Sequence, residues 1–327
     1  MSTQMHKIER NSDIDKTKGL LIFLVVFGHF LENYMGWYGD SSVPILRFIY
    51  LIHMPAFIFI SGMFFNTDKW KDNFYRYFSI FIFFQILYVI FEFVLFGGDI
   101  FKWLSTPYWI MWFMFTLSTY CLITPVLIKH KMALLISVGL SLYIGLVGTD
   151  NYPFSIGRTL SFLPFFIMGV LYGKKVWKFL NTKNYVGTYS LIFIGILVAG
   201  TYFIDVKPAW LFGVANIDQY YGSVFFEMKV KISLLIASSL AIVSVIKLSS
   251  YLPEFFAVFG KNSLSIYLFH GFVVVLISRH VAVSQPDIQM ILLLLAVSFA
   301  VCIILKESLF CTVINQVSNR ISSLMRK

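Results

Sequence analysis

The residues best suited to chemistry are three histidines within apolar stretches, His29, His53 and His270. Imidazole is the side chain whose charge changes near neutral pH, so it can both take up and release a proton. A charged residue at bilayer depth costs about 2.5–3.5 kcal/mol on insertion scales, so ionisable groups there usually mark a site or a pathway. Glu32 follows His29 by one helical turn. These four side chains are the predicted catalytic residues.

The spacing between Lys18 and His29 adds a second element to this site. Eleven steps of an α-helix, at about 100° each, leave the two side chains only about 20° apart around the axis and about 16 Å apart along it. One helical face therefore carries a cation near the water boundary and an imidazole deeper in the membrane. Lys18 is therefore a candidate binding residue, and the family resemblance described below implies that it binds the acyl donor.

The composition indicates which elements position these side chains. The chain has 327 residues, of which 58% are hydrophobic and only 13% are charged, whereas a soluble domain carries roughly 25% charged residues. The apolar residues form runs long enough to span a bilayer as helices. We therefore expect a single all-α polytopic domain over 1–327, with a cytoplasmic arm at 1–18 and a cytoplasmic tail at 311–327. The predicted spans are 19–37, 43–65, 75–96, 107–128, 132–149, 158–173, 185–204, 223–247, 258–280 and 288–310.

The distribution of charge predicts the orientation of these ten spans. Of the 26 Lys and Arg residues, 19 fall in the two ends of the chain and in alternate connections, and seven fall elsewhere. Cytoplasmic segments carry the excess of positive charge, so both termini are expected in the cytoplasm. The same distribution explains the net charge of +10 without a nucleic-acid partner. The three cysteines lack a CxxC spacing, and no metal site is predicted.

With this orientation, His29, His53 and His270 each fall near the middle of a separate span. The other three histidines fall in tails, loops or a span end. Each intramembrane histidine on its own could simply satisfy a polar contact in the bundle. Three at one depth favour a functional site.

Further candidates come from residues near the span ends. Arg76 and Lys71 follow span two on the cytoplasmic side. The guanidinium of Arg76 is suited to binding an anionic group such as a phosphate. Trp112 enters span four. Like Arg76 and Lys71, it is assigned to binding of the acyl donor that the resemblance described below implies. Tyr267 lies three residues before His270 on the same helical side. Tyr267, Asp15 and Arg158 are assigned to the substrate cavity, although a snorkelling side chain would also explain Arg158.

Several phrases in the sequence resemble a known family. They are Lys18 with His29, His-Met-Pro…Phe-Ile-Ser-Gly at 53–62, Trp-Phe at 112–113, Phe-Leu-Pro-Phe-Phe…Gly at 162–169 and Ser-Leu-Ser-Ile-Tyr-Leu-Phe-His at 263–270. Together they resemble the acyltransferase-3 family of bacterial membrane O-acyltransferases, most of all its fucose 4-O-acetylase-like and polysaccharide O-acetyltransferase branch. Two departures stand out. Lys18 replaces the common arginine, and only Lys71 and Arg76 stand where members often carry an Arg-x-x-Arg pair.

The resemblance implies a multi-pass protein of the bacterial cell membrane. It also implies acetyl-CoA as cytoplasmic donor and a glycan hydroxyl as acceptor, whether the glycan is free, polymeric or polyprenyl-linked. His29 would be the base that activates this hydroxyl, His53 or His270 would orient it or stabilise the oxyanion, and a covalent acyl-enzyme stays open. The chain shows no fused hydrolase-like domain, so it would complete the reaction alone or pass the acyl group to a partner.

A function from another class fits some of the same residues. In a proton-coupled glycan or small-molecule transporter or flippase, the histidines would relay protons. Transporters often consist of two repeated halves with interrupted helices, and the sequence shows no such repeat. A channel or scaffold is a third possibility. Acetylation of a glycan, in contrast to substrate counterflow without acylation, separates the first two classes.

Overall fold

The computed structural model describes residues 12–147, 150–183, 185–216, 223–280 and 288–326. Within these ranges all regular structure is helical, with three short 3₁₀ turns at Thr67–Lys69, Trp109–Met111 and Pro153–Ser155. The α-helices are α1 (Ser12–Met35), α2 (Ser42–Met63), α3 (Trp70–Phe96), α4 (Lys102–Ser105), α5 (Trp112–Leu127), α6 (Ala133–Leu146), α7 (Ile156–Thr182), α8 (Tyr185–Phe203), α9 (Pro208–Phe212), α10 (Val224–Ser249), α11 (Phe255–Lys261), α12 (Ser263–His280), α13 (Ile288–Leu305) and α14 (Ser308–Met325).

Eight helical stretches of the described chain are long and apolar enough to cross a membrane, namely those containing α2, α3, α5, α7, α8, α10, α12 and α13. The protein is therefore an all-α polytopic membrane protein, as predicted. The two other predicted spans differ from these eight. Helix α6 has only 14 residues, a length of about 21 Å. Helix α1 is long but carries ionisable groups towards both ends, which lowers its hydropathy.

The structure corrects one predicted span and adds detail at both ends of the chain. Helix α1 begins at Ser12, so the described part of the predicted arm 1–18 is already helical, while residues 1–11 lie outside the described ranges. The predicted span 258–280 is two helices, because the chain turns at Asn262 between α11 and α12. Most of the predicted tail 311–327 belongs to helix α14.

Both ends of the described chain lie at the same end of the bundle. Arg326, after α14, pairs with Asp72 at the start of α3 at 2.9 Å. Lys18, in the first half of α1, lines the same cavity as Arg76 in the first half of α3. The prediction places both termini on one side of the membrane, and we call this shared end the inner end.

Glycines bring α1 and α11 into backbone contact. A Cβ added at Gly19 would lie 1.9 Å from the carbonyl oxygen of Phe256, and one added at Gly260 would lie 1.7 Å from that of Asp15. Only glycine allows such an approach, as at helix interfaces in membranes generally. The contact fixes α1, and with it His29, against the segment that leads into α12.

Helices α2 and α7 are also brought into backbone contact by a glycine, Gly62. A Cβ at Gly62 would lie 2.2 Å from the carbonyl oxygen of Phe166. Pro55 remains inside α2 without ending it. Because proline lacks an N–H, it leaves the carbonyl of Leu51 without its helical donor, and the Ser238 hydroxyl from α10 donates to that carbonyl at 2.8 Å.

Candidate active site

A pair of histidines from two helices forms the centre of the site. Nδ1 of His29, on α1, lies 2.9 Å from Nε2 of His270, on α12. The other ring nitrogen of His270, Nδ1, faces the backbone carbonyls of Tyr267 and Ile266, at 2.7 and 3.1 Å. His270 is completely buried. The two predicted histidines are therefore in direct contact.

These contacts fix the tautomers of both rings. Carbonyl oxygens only accept hydrogen bonds, so Nδ1 of His270 carries the proton and Nε2 of the neutral ring accepts. Nδ1 of His29 must then donate to it. In neutral His29 the proton is thus on Nδ1, and Nε2 keeps its lone pair. The chain of hydrogen bonds from the α12 backbone leaves His29 with one free basic nitrogen.

A cavity of about 300 Å³, which we call the reaction cavity, lies beside His29. Side chains from α1, α2, α4, α5, α7, α9 and α12 and from the segments before α5 and α7 form its wall. They include His29, Glu32, Tyr50, His53, Met54, Lys102, Trp109, Trp112, Tyr152, Arg158, Phe212 and Tyr267. His270 lies behind His29 and outside this lining. Three of the four predicted catalytic residues thus face one cavity, and the fourth supports it.

His53 contributes a second ring to the cavity wall. It is nearly completely buried, and its Nδ1 donates to the carbonyl of Ile49 at 2.6 Å. In its neutral form Nε2 of His53 is therefore an acceptor as well. Neither His53 nor His270 offers an N–H towards the cavity, so a neutral imidazole cannot donate to an oxyanion here.

The Glu32 carboxylate is held by Tyr50, which lines the cavity, and by Trp37 behind it, rather than by His29. The Tyr50 hydroxyl donates to one carboxylate oxygen, and Nε1 of Trp37 donates to the other at 3.0 Å. Glu32 thus lies close to His29 on α1 without sharing a hydrogen bond with it. Its contacts fix the outer side of the cavity wall.

Arg158 brings a guanidinium to the reaction cavity. It lies between two aromatic rings, 5.1 Å from the Trp112 ring centre and 5.4 Å from that of Tyr152. Within the described residues it forms no ion pair. Trp112 also stacks on Phe162, with ring centres 5.6 Å apart. Trp112 therefore belongs to the reaction cavity together with Arg158, and not to the inner group of cations where donor binding was expected.

A second cavity of about 300 Å³, the inner cavity, lies at the inner end. It is lined by Lys18 and Arg76 and by mostly apolar and aromatic residues of α2, α3, α5 and α12. Nζ of Lys18 lies 3.3 Å from Oδ1 of Asp15, and Arg76 is exposed. Met54 and Tyr267 line both cavities. These two side chains therefore separate the inner cavity from the reaction cavity.

Besides His270, two predicted residues line neither cavity. Lys71 is exposed and lies 5.6 Å from the Trp70 ring centre. Asp15 is buried, because its part of α1 packs directly on α11 at Gly260. It contacts Lys18, and so it neighbours the inner cavity only through that side chain.

Sequence reasoning did not select Tyr50, Met54, Trp109 or Tyr152. Trp109 packs on His29, with ring centres 4.6 Å apart. Tyr50 lies three residues before His53, which is the spacing that singled out Tyr267 before His270, so this signal was present in the sequence. Within the described residues, no group of three or more His, Cys, Asp or Glu side chains is arranged to hold a metal ion.

Comparison with known proteins identifies the family. The family model for an acyltransferase domain, acyltransferase-3, matches residues 11–307, which include every helix from α1 to α13 and end just before α14. No curated protein matches the chain, and no solved structure does. Because the match covers most of the chain, the protein belongs to the acyltransferase-3 family and is a membrane-embedded acyltransferase.

Proposed function

We propose that this acyltransferase moves an acetyl group from acetyl-CoA to a hydroxyl of a cell-surface or lipid-linked glycan, as a multi-pass protein of the bacterial cytoplasmic membrane. The observation that carries the proposal is the free Nε2 of His29, set in the wall of the reaction cavity by its contact with His270. A hydroxyl is a weak nucleophile and needs a base of this kind. The acceptor enters the reaction cavity, and the donor enters the inner cavity.

The inner cavity suits the donor by its charge and its shape. Lys18 and Arg76 are cations at an apolar cavity, and such groups hold phosphates by charge-assisted hydrogen bonds. The phosphates of acetyl-CoA would bind at this end, and the narrow acyl-carrying arm would extend between Met54 and Tyr267 towards His29. The Tyr267 hydroxyl donates to the Ile110 carbonyl, which holds the side chain in place at this junction.

His29 alone can take up and return the proton that moves in the transfer step. Nε2 takes the proton of the acceptor hydroxyl as the oxygen attacks the thioester carbonyl carbon. The tetrahedral intermediate then collapses, the carbon–sulfur bond breaks, and the thiolate of CoA takes the proton back from Nε2. The products are the O-acetyl ester and CoA. His270 accepts from Nδ1 of His29 throughout and so stabilises the transient imidazolium, a role that an orienting partner fills in catalytic triads.

Arg158 is the group we assign to the oxyanion. The developing negative charge needs a hydrogen-bond donor, and the tautomers of His53 and His270 exclude both as neutral donors. Arg158 lines the same cavity, carries five N–H donors and forms no ion pair within the described residues. This differs from the sequence-based hypothesis, in which one of the two histidines stabilised the oxyanion.

Labelled acetyl-CoA tests the proposal in membranes that contain the protein. Label should reach a glycan with wild-type protein and fall to background with His29→Ala at matched expression. A full wild-type rate in His29→Ala would refute the mechanism while leaving the activity. Absence of label across the cell's own envelope glycans, together with counterflow of an unmodified substrate, would refute acyl transfer in favour of transport.

A further inference from the structure

A third cavity, of about 440 Å³, lies next to the reaction cavity on the side away from the inner cavity. We call it the outer vestibule. Its lining includes Trp37, Tyr38, Arg47, Asp205, Lys207 and Phe212. Tyr152 and Phe212 line both this space and the reaction cavity. The reaction cavity and the vestibule therefore adjoin at these two side chains.

One side of the outer vestibule is aromatic. Tyr38 is almost fully exposed, at 97% of its surface, although it adjoins a cavity. Trp37 is fixed by edge-to-face contacts with Tyr50 and Phe212, at 5.3 and 5.6 Å between ring centres. Its Nε1 donates to Glu32, which joins the vestibule wall to that of the reaction cavity. An aromatic face that is held in place, as that of Trp37 is, binds a flat, partly apolar ligand face at low entropic cost, and the exposed ring of Tyr38 offers a second such face.

The other side of the vestibule is polar. Arg47 donates to the carbonyls of Val206 and Thr201, each at 3.2 Å, and to Asp205 at 2.5 Å. Lys207 donates to the second oxygen of Asp205 at 2.5 Å. The hydrogen bond from Lys207, more than any other contact, lowers the pKa of Asp205. The carboxylate therefore stays ionised at neutral pH, and 61% of its side chain remains exposed.

An ionised, exposed carboxylate has spare lone pairs for hydroxyl donors. A stacking face in the same cavity as such a group matches a sugar ring, which has apolar C–H faces and hydroxyls at its edge. Binding sites for small ligands are typically apolar or aromatic pockets that contain a small number of precisely placed polar groups. The vestibule thus carries both kinds of contact that a saccharide unit needs.

We infer that the outer vestibule is a second sugar subsite, which holds the unit next to the one that accepts the acetyl group. This inference rests on the proposed function. It narrows the acceptor to a glycan of at least two linked units, reached from the outer end of the bundle. A monosaccharide would fill only the reaction cavity and would forgo every vestibule contact.

The second subsite is tested by measuring acetyl transfer with purified protein in lipid vesicles. The acceptors are size-fractionated envelope glycans of one to four units and glucose, mannose and N-acetylglucosamine oligomers of the same lengths. In wild type, KM for acetyl transfer should fall at least tenfold between one and two units. In Tyr38→Ala the ratio of KM for one unit to KM for two units should approach one. Tyr202→Ala is the matched control, because Tyr202 is also an exposed tyrosine at the outer end of its helix and does not line the vestibule.

Saturation-transfer NMR with the same oligomers measures binding without turnover. Signals from the second unit should be present in wild type and Tyr202→Ala and absent in Tyr38→Ala. Transfer with equal KM for one and two units would overturn the subsite and leave the proposed function standing. Two-unit binding that depends on Tyr38 but gives no acetyl transfer would support the subsite and overturn the proposed function. Neither binding nor transfer would overturn both.

Discussion

Replacing His270 by leucine should impair catalysis through His29. In the native protein Nδ1 of His29 donates to Nε2 of His270, which keeps the lone pair on the other nitrogen. Leucine removes that acceptor and leaves a buried N–H without a partner, at a cost of about 1–3 kcal/mol. The tautomer of His29 that can act as a base carries its proton on Nδ1. It would be destabilised by the same free energy relative to the tautomer with the proton on Nε2. The expected loss of kcat is therefore about 5- to 150-fold.

His270→Gln is the matched variant for this experiment. The amide oxygen of glutamine reaches about as far as Nε2 of histidine and accepts a hydrogen bond, so it should restore most of the lost kcat. KM for acetyl-CoA should stay the same in both variants, because His270 lines neither cavity. In wild type, kcat should fall as the pH drops through the titration of His29 and level off above it, because only the neutral ring acts as a base.

Initial rates with labelled acetyl-CoA, at matched protein levels and with thermal unfolding as a check on folding, provide the comparison. Equal kcat values for the leucine and glutamine variants, with both folded, would refute the tautomer argument. An activity that rises as the pH falls would refute His29 as a base.

Three further results follow from the structure. Arg158→Ala should lower kcat about 10²–10³-fold, as expected for loss of an oxyanion donor, while leaving the folded fraction intact. Arg76→Ala should raise KM for acetyl-CoA up to about fivefold, less at high salt, whereas Lys69→Ala, in an exposed position nearby and outside the cavity, should leave it unchanged. Gly260→Ala should destabilise the protein by about 1–3 kcal/mol or more, because its Cβ would meet a carbonyl at 1.7 Å. Gly139→Ala, with nothing within 4 Å of its Cβ, should not lower the unfolding temperature in detergent.

Much of the fold could be predicted from the sequence because a membrane span is set by length and apolarity alone. The exceptions have physical causes. The ionisable groups of α1 made its first turns look like a soluble arm, yet they are helical, because Gly19 and Gly260 bring α11 against them. The break at Asn262 lies between Gly260 and Ser263, which are turn-forming residues that a hydropathy profile does not register.

The candidate site was predictable only in part. The positions of His29, His53 and His270 in their spans placed them at one depth, and depth follows from counting residues. Which ring nitrogen faces which partner depends on side-chain direction, and this requires the packing of α1 against α12. The position of Trp112 could not be predicted for the same reason. It contacts Arg158 of α7, and no local spacing in the sequence predicts a contact between two separate helices.

Proteoliposomes with labelled acetyl-CoA on one face and envelope glycans only on the other test the central claim most directly. The inner and reaction cavities meet at Met54 and Tyr267, so the donor and the acceptor should reach His29 from opposite ends. Label should therefore appear on glycans across the membrane, in wild type and not in His29→Ala. Label that appears only when both substrates share one face would contradict this account.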